Sequence, residues 1–300
     1  MKHITVLQAE AIDALALKLN SVVVDATYGG GGHASLICKQ LGKKGVYIGI
    51  DTDKTAFINN PLKSKTKDRP TIHLINNNFS NLDEVLSSLH IEKVDAILAD
   101  LGWRTDQFTE GGKGFSFQAK EPLLMTFGEA DNYAFTAHDI VNSWAEEDIA
   151  NVLYGYGDER YSRKIARAII EKRKLKPIDT AEELAELIAD CLPRNPFKKG
   201  IHPATKSFQA LRIAVNDELK VLETFIDKAS SFLALEGRLA IITFHSIEDR
   251  IVKLKFRELV EAGGFRLVNK KPLTASEEEL KANPRSRSAK LRIISRENTE

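Results

Sequence analysis

Val22-Val23-Val24-Asp25-Ala26-Thr27-Tyr28-Gly29-Gly30-Gly31-Gly32-His33 is a run of β-branched residues, an acid, and four consecutive glycines that open into a helical pattern over Ala34 to Leu41. Consecutive valines suit a strand buried on both faces, as in a parallel sheet. Glycines let a backbone turn sharply and let a ligand approach it closely. Four together are costly in backbone entropy, which argues for a specific demand at that point. After the first strand of a doubly wound sheet, such a turn is where nucleotides bind. Taken alone the pattern is weak, because a tight turn without a ligand also satisfies it.

The flanking sequence supports that setting. Ile12, Leu15 and Leu19 have helical spacing within residues 8 to 19. Gly45 to Ile50 reads as a second strand ending at Asp51. Residues 71 to 75 read as a third, ending near Asn76-Asn77-Asn78-Phe79, and Val94 to Ala99 as a fourth, ending at Asp100-Leu101-Gly102. Strands alternating with helices imply an α/β fold with a parallel sheet and right-handed crossovers. Residues 103 to 135 are rich in Gly and Phe without a clear period. From Ala137 to Cys191 the pattern is helical, and Thr180 with Glu183 forms a capping box ahead of Leu184, Leu187 and Ile188. Pro193, Pro196, Gly200 and Pro203 punctuate. One long amphipathic helix is then predicted through Phe208, Leu211, Val215, Leu219, Leu222 and Ile226. Gly237 to Phe244 returns to strand, and Phe265 to Val268 and Leu291 to Ile294 suit an antiparallel pair. The expected architecture is a core domain over residues 1–102 and 203–300, interrupted by a mainly helical domain over 103–202.

The chain has 300 residues, 43% hydrophobic and 28% charged, an ordinary globular composition. No apolar run approaches the ~20 residues that span a bilayer, and Met1 to Val6 lacks the apolar core of a secretory signal, so a cytoplasmic protein is expected. The only cysteines are Cys38 and Cys191. They read as buried free thiols, and without a CxxC pair neither zinc nor a disulfide is expected. Net charge is +1, yet cations cluster locally. One cluster is Arg160, Arg163, Lys164, Arg167, Lys172, Arg173, Lys174 and Lys176. A second is Arg194, Lys198, Lys199 and Lys206, and a third is Lys281, Arg285, Arg287, Lys290 and Arg292. Each suits phosphate binding, and each equally suits a solvated helix face.

A carboxylate at the second strand's end, Asp51, can accept both ribose hydroxyls, which fits NAD and S-adenosylmethionine alike. A P-loop is excluded, because the chain has no GxxxxGK[ST]. Two features favour S-adenosylmethionine: Asp25 ends the first strand just before the glycines, and Asp100-Leu101-Gly102 ends the fourth at the edge where the methyl group would point. Loop capping is the plainer role for either acid. Phe79 suits the adenine face, with core packing as the alternative.

At this point the chain resembles the RsmH (MraW) family, bacterial small-subunit ribosomal RNA cytosine-N4 methyltransferases. The resemblance runs through His3-Ile4-Thr5-Val6-Leu7, Asp25 to His33, Asp100-Leu101-Gly102, Gln107, Gly114 to Phe117 and Tyr156 to Arg160. Its most specific blocks are His202 to Leu219 and Phe244-His245-Ser246-Ile247-Glu248-Asp249-Arg250, and Asn283 to Arg292 completes it. It implies a Rossmann-like class I S-adenosylmethionine-dependent methyltransferase sheet with an inserted helical domain, and 16S rRNA of the small ribosomal subunit as partner. A homodimer stays open. Gly31, Gly32 and His33 match the cofactor loop, Asp51 the ribose carboxylate, Phe79 an adenine neighbour, and Asp100 and Gln107 the methionine end. Three departures stand out. Gly30 replaces the family's arginine, and Arg104-Thr105-Asp106 replaces Ser-Ser-Pro. Pro122-Leu123-Leu124-Met125-Thr126-Phe127 replaces Pro-Leu-Asp-Met-Arg-Met, losing an acid and a base.

For the chemistry, Asp100 is expected to accept hydrogen bonds from the cytosine amine, with water or a second polar group taking the proton. His245 and Ser246 are the next candidates, with loop-fixing hydrogen bonds as the alternative. A sulfonium supplies its own leaving group, so no metal is expected. C5 methylation requires a cysteine nucleophile, and neither cysteine follows a strand end, which favours N4. Arg160, Arg163 and Arg167 in the insert, with Lys206 just after it and Arg285 and Arg287 near the C-terminus, are expected to grip RNA. Trp103, Phe115 and Phe117 are candidates for stacking on an extruded base, against core packing. Three alternatives stay open: an NAD-dependent oxidoreductase, an assembly factor that has lost activity, and a methyltransferase acting on another amine.

Overall fold

In the computed structural model, residues 5–58, 61–63, 69–101, 112–117, 120–193 and 202–298 are described. Val22–Asp25 forms β1, Val46–Asp51 β2, Thr71–Asn76 β3, Val94–Asp100 β4, Leu233–Thr243 β5, Phe265–Leu267 β6 and Lys290–Arg296 β7. They make one sheet in the order β3-β2-β1-β4-β5-β7-β6. The first five strands pair in parallel, and β7 runs antiparallel to both β5 and β6. After β3 the chain returns to the far side of β1, so the β1/β4 junction is the point where strand order reverses. At such a point the crossovers leave by opposite faces and open a crevice at the strands' carboxyl ends.

The valine run explains the two layers. Successive strand side chains point to opposite faces. Val23 joins Tyr47, Leu98 and Ile242 in a core closed by the helices Gln8–Leu15 (α1) and Gly32–Gln40 (α2). Val24 joins Ile48, Ile97 and Ile241 in the opposite core, closed by Leu82–Ser88 (α3) and by two later helices through Phe225 and Phe256.

By internal contacts the chain divides into two units: Met1–Arg104 with Leu219–Glu300, and Thr105–Glu218. The second is built on the helices Ala137–Ser143 (α4), Glu146–Gly157 (α5), Ser162–Leu175 (α6), Ala181–Cys191 (α7) and Thr205–Asn216 (α8). The Thr180–Glu183 capping box is formed, and Thr136–Asp139 adds another. Residues 203–218, expected in the core domain, group with the helical unit. The physical reason is Gly157 of α5, where a Cβ would lie 2.5 Å from the Lys206 carbonyl oxygen, so only glycine lets α8 approach this closely. The long helix expected from Phe208 to Ile226 is also two helices, α8 and Glu218–Phe232 (α9), separated by Asp217 in the left-handed region at φ 47°. Among the described residues the further α-helices are Ser246–Glu261 (α10) and Glu277–Ala282 (α11). Among the described residues no helix is long and apolar enough to cross a membrane.

Candidate functional site

The glycine segment ties three strand ends together. Ala26 N–H donates to the Leu98 carbonyl on β4, and Tyr28 N–H to the Ile50 carbonyl on β2. Gly29 N–H then donates to Asp51 Oδ2 at 2.8 Å, while Asp53 N–H donates to Asp51 Oδ1 at 2.8 Å. On the other side Asp100 N–H donates to Thr27 Oγ1 at 2.6 Å. Gly31 sits at φ 72°, and a Cβ there would lie 2.7 Å from Pro61 Cγ and 2.9 Å from the Tyr28 hydroxyl. A Cβ on Gly32 would land on the Thr5 hydroxyl. The floor is therefore glycine for both conformational and steric reasons, and α2 starts directly from it.

Beneath this floor lies a buried polar cluster. Asp25, 1% exposed, accepts from the Tyr47 hydroxyl at 2.7 Å and more weakly from Thr27 N–H at 3.4 Å. Burial pushes its carboxyl up to about 6, against the lowering effects of the Tyr47 hydrogen bond and of His33. His33 is 5% exposed, and neither ring nitrogen has a hydrogen-bond partner. Its Nε2 lies 3.5 Å from Asp100 Oδ2, within ion-pair range but off hydrogen-bond geometry. Tyr47 and Thr27 belong to this polar cluster and were not singled out by the sequence reasoning. Thr27 lay inside the quoted motif. Tyr47 carried no signal beyond being an aromatic residue in a strand.

The expected cofactor residues Gly31, Gly32, His33, Asp51 and Asp100 thus lie on the connected ends of β1, β2 and β4. Phe79, half-buried just after β3, meets Phe225 edge-on at 5.0 Å, the core contact weighed as its alternative. Gln107 and Trp103 lie outside the described residues, as do Arg194, Lys198 and Lys199.

His245 is the N-cap of α10. Its Nδ1 accepts from Glu248 N–H at 3.4 Å, while Glu248 Oε2 accepts from Phe244 N–H at 2.9 Å and His245 N–H at 3.3 Å. This reciprocal box satisfies donors that a helix start otherwise leaves unpaired. The geometry therefore gives His245 the loop-fixing role weighed as its alternative, while its Nε2, 3.0 Å from Glu248 Oε1, is buried without a hydrogen-bond partner. Ser246, the first residue of α10, is exposed.

The RNA candidates sort by partner. Arg160 and Arg163 are exposed, with no acid partner among the described residues. Arg167 lies 3.5 Å from Glu146. Lys206, exposed, donates one hydrogen bond to the Asp158 carbonyl at 2.8 Å at the end of α5. Arg173, half-buried, donates to the Val141 and Trp144 carbonyls, and Lys174 and Lys176 face Glu171 and Glu183. Arg285 and Arg287 are exposed on the turn Pro284–Ser288. Phe115 is buried and stacks on Phe127 at 6.0 Å. Phe117 stacks on His202 at 4.7 Å and meets Phe208 edge-on. Both rings therefore take the packing role.

The altered 122–127 segment is closed by hydrogen bonds of its backbone, Met125 N–H to the Lys113 carbonyl and Phe127 N–H to Asn216 Oδ1. Thr126 is fully buried, and its hydroxyl donates to the Gly128 carbonyl at 3.0 Å. With Leu124 and Thr126 in place of an acid and a base, neither position buries a charge.

The sequence model of the MraW methylase family matches residues 1–297. Three similar proteins bear the name Ribosomal RNA small subunit methyltransferase H. That of Clostridium botulinum (strain Loch Maree / Type A3) is 44% identical over 307 residues, covering 97% of this chain and 98% of its own length. Those of Paenibacillus sp. (strain JDR-2) and Lactobacillus delbrueckii subsp. bulgaricus (strain ATCC BAA-365 / Lb-18) are each 43% identical, with the same coverage.

Proposed function

The chain belongs to the MraW methylase family, and on that basis we propose that it methylates the N4 amine of a cytidine in 16S ribosomal RNA, working in the cytoplasm with S-adenosylmethionine as donor. The observation that carries this reading is the reversal of strand order at the β1/β4 junction, where the Asp51 carboxylate, the glycine turn and Asp100 are tied into one framework.

The residues present fit the donor. Two backbone N–H groups, one on each oxygen, fix the direction of the Asp51 carboxylate at the end of β2. A carboxylate is an acceptor with more than one site per oxygen, so it suits the paired hydroxyls of a ribose. Gly31 and Gly32 carry no side chains of their own, with Pro61, Tyr28 and Thr5 packed against them, and Phe79 at the β3 end supplies an aromatic neighbour for the adenine. When bound, S-adenosylmethionine supplies an electrophilic methyl group on a sulfonium that departs as a neutral thioether.

Cytosine N4 is a poor nucleophile because its lone pair is delocalised into the ring. Asp100, at 15% exposure on the rim of the crevice, accepts a hydrogen bond from the amine and orients its remaining lone pair. As the N–C bond forms, water or a second polar group takes the amine proton. His33 Nε2 lies 3.5 Å from the Asp100 carboxylate. A C5 reaction would need a thiolate. Burial first, and the Asp25 carboxylate second, push the Cys38 thiol up to about 12, so it stays protonated at neutral pH.

Mass spectrometry of small-subunit RNA nucleosides from cells with and without the protein tests the reaction: N4-methylated cytidine is expected only with it. Asp100→Ala should abolish transfer to immature small subunits while keeping affinity for S-adenosylhomocysteine. Near-normal methylation by that variant refutes the role of Asp100. No observation favours the oxidoreductase, and NAD binding in place of S-adenosylhomocysteine is what would revive it.

A further inference from the structure

Outside the crevice, a cleft of about 280 Å³ lies between α10 and the β6–β7 edge, lined by Lys253, Phe256, Arg257, Leu267, Asn269, Lys270 and Arg292. Four of its seven lining residues are cationic and none is acidic. Asp249, Lys253 and Arg257 follow one another at four-residue steps and so share a face of α10. The acid of that row is already committed. Asp249 Oδ1 accepts from Arg292 Nε at 2.7 Å, and its Oδ2 from Arg292 Nη2 at 3.3 Å and Lys290 Nζ at 3.1 Å. Arg292, 9% exposed, is thereby fixed in the floor with Nη1 uncommitted. Lys253, Arg257 and Lys270 are exposed and have no acid partner among the described residues. The far wall is held as firmly. Asn269 Nδ2 donates to the Lys271 and Leu291 carbonyls, each at 2.9 Å, and its Oδ1 accepts from Ile293 N–H at 2.8 Å. That lock fixes the turn that carries Lys270.

We propose that this cleft is a phosphodiester subsite, which takes a backbone phosphate of the ribosomal RNA near the methylated nucleotide. A solvated helix face would pair its cations along the helix or with neighbours, as Lys255 on the same helix does with Asp227 at 2.9 Å. Here the cations converge on a concavity whose arginine is already oriented, the arrangement that suits a bidentate oxyanion. The buried Phe256 forms floor and offers no stacking face, so the ligand is phosphate and not base. β6 lies three strand spacings from β4 in the sheet, about 14 Å, so the subsite holds RNA flanking the target without touching the transferred methyl. The proposal rests on the ribosomal RNA reading above.

The test is binding of deproteinised 16S RNA and of small subunits from cells lacking the protein, titrated with salt. In the Lys253→Glu, Arg257→Glu, Lys270→Glu variant, affinity for both should fall at least tenfold. The slope of log K against log salt should flatten by about 0.7 for each phosphate no longer neutralised. The KM for subunits should rise more than kcat falls, with S-adenosylhomocysteine affinity kept as the check on folding. Lys253→Gln with Arg257→Gln gives a milder loss should charge reversal unfold the chain, and Lys253→Arg with Arg257→Lys should retain binding. An unchanged affinity and slope in the charge-reversed or neutral variant overturns the proposal while leaving the methyltransferase reading intact. Weakened binding to subunits with unchanged binding to naked RNA assigns the cleft to a ribosomal protein, and overturns it too. Absence of RNA binding by the wild-type chain would instead strike the functional reading itself.

Discussion

Asp25 shows how a residue can be found from sequence while its state cannot. Its place at the end of a valine strand, ahead of four glycines, marked it. That its carboxyl is sealed under the loop against Tyr47 depends on β2 lying beside β1, which no local pattern encodes. Its pKa of about 6 lies above the unfolded value of 3.8, so the folded chain holds the proton more tightly. Its contribution to stability is full below about pH 4 and is lost as pH rises through 6. Above that, the buried charge costs about 3 kcal/mol relative to the protonated form. Asp25→Asn keeps an acceptor for the Tyr47 hydroxyl and removes the titration. Urea unfolding at pH 4.5 and 7.5 should show the variant gaining on the wild type by about 2 kcal/mol between the two. The same difference at both pH values would mean that Asp25 is not held protonated.

The strands were readable because a β-branched run and a terminal acid recur along the chain, and because the alternation of Val23 and Val24 already implied two cores. Helix ends were less so. Phe208 to Ile226 keeps its apolar period through Asp217, so nothing in the spacing marks the break, and aspartate is only moderately tolerant of the left-handed region. Asp217→Gly should therefore preserve or slightly raise stability, while Asp217→Val should lower it by about 1–2 kcal/mol, as measured by thermal unfolding. At the start of α10 the motif around His245 was visible, but its function as a cap emerges only from the reciprocal bonds with Glu248. His245→Ala should cost about 1 kcal/mol, and His245→Asn should restore most of it together with methylation. A stable His245→Asn variant without activity would return His245 to the chemistry. One more element is pinned by charge: burial alone would raise the Asp249 carboxyl, but Arg292 and Lys290 outweigh it and hold it below the usual range. Asp249→Ala should destabilise the chain by about 3 kcal/mol, because it leaves Arg292 buried without its partner.

For the molecule as a whole, a net charge of +1 offers little long-range attraction to RNA. Affinity must then come from particular cations that the fold leaves without protein partners, and composition cannot identify these. The cluster from Arg160 to Lys176 looked uniform as sequence. In the structure, Arg167 faces Glu146 on α5, Arg173 caps α4, and Lys174 and Lys176 meet acids three and seven residues away. Lys206, from another cluster, donates to a carbonyl at a helix end. Arg160, Arg163, Lys164 and Lys172 remain exposed without an acid partner among the described residues, the first two at the start of α6. Since each neutralised phosphate releases condensed counterions, the salt dependence of binding counts such cations directly. Arg160→Ala with Arg163→Ala should weaken binding to small subunits and flatten the salt slope by about 0.7 for each arginine that reaches a phosphate. Arg167→Ala should change the slope little, because an exposed ion pair has already discounted its charge. Lys206→Ala should act mainly on stability, by about 1 kcal/mol for the missing carbonyl bond. An equal flattening from all four substitutions would show that the helical unit grips RNA with its whole basic surface, and that pairing within the fold does not select which cations bind.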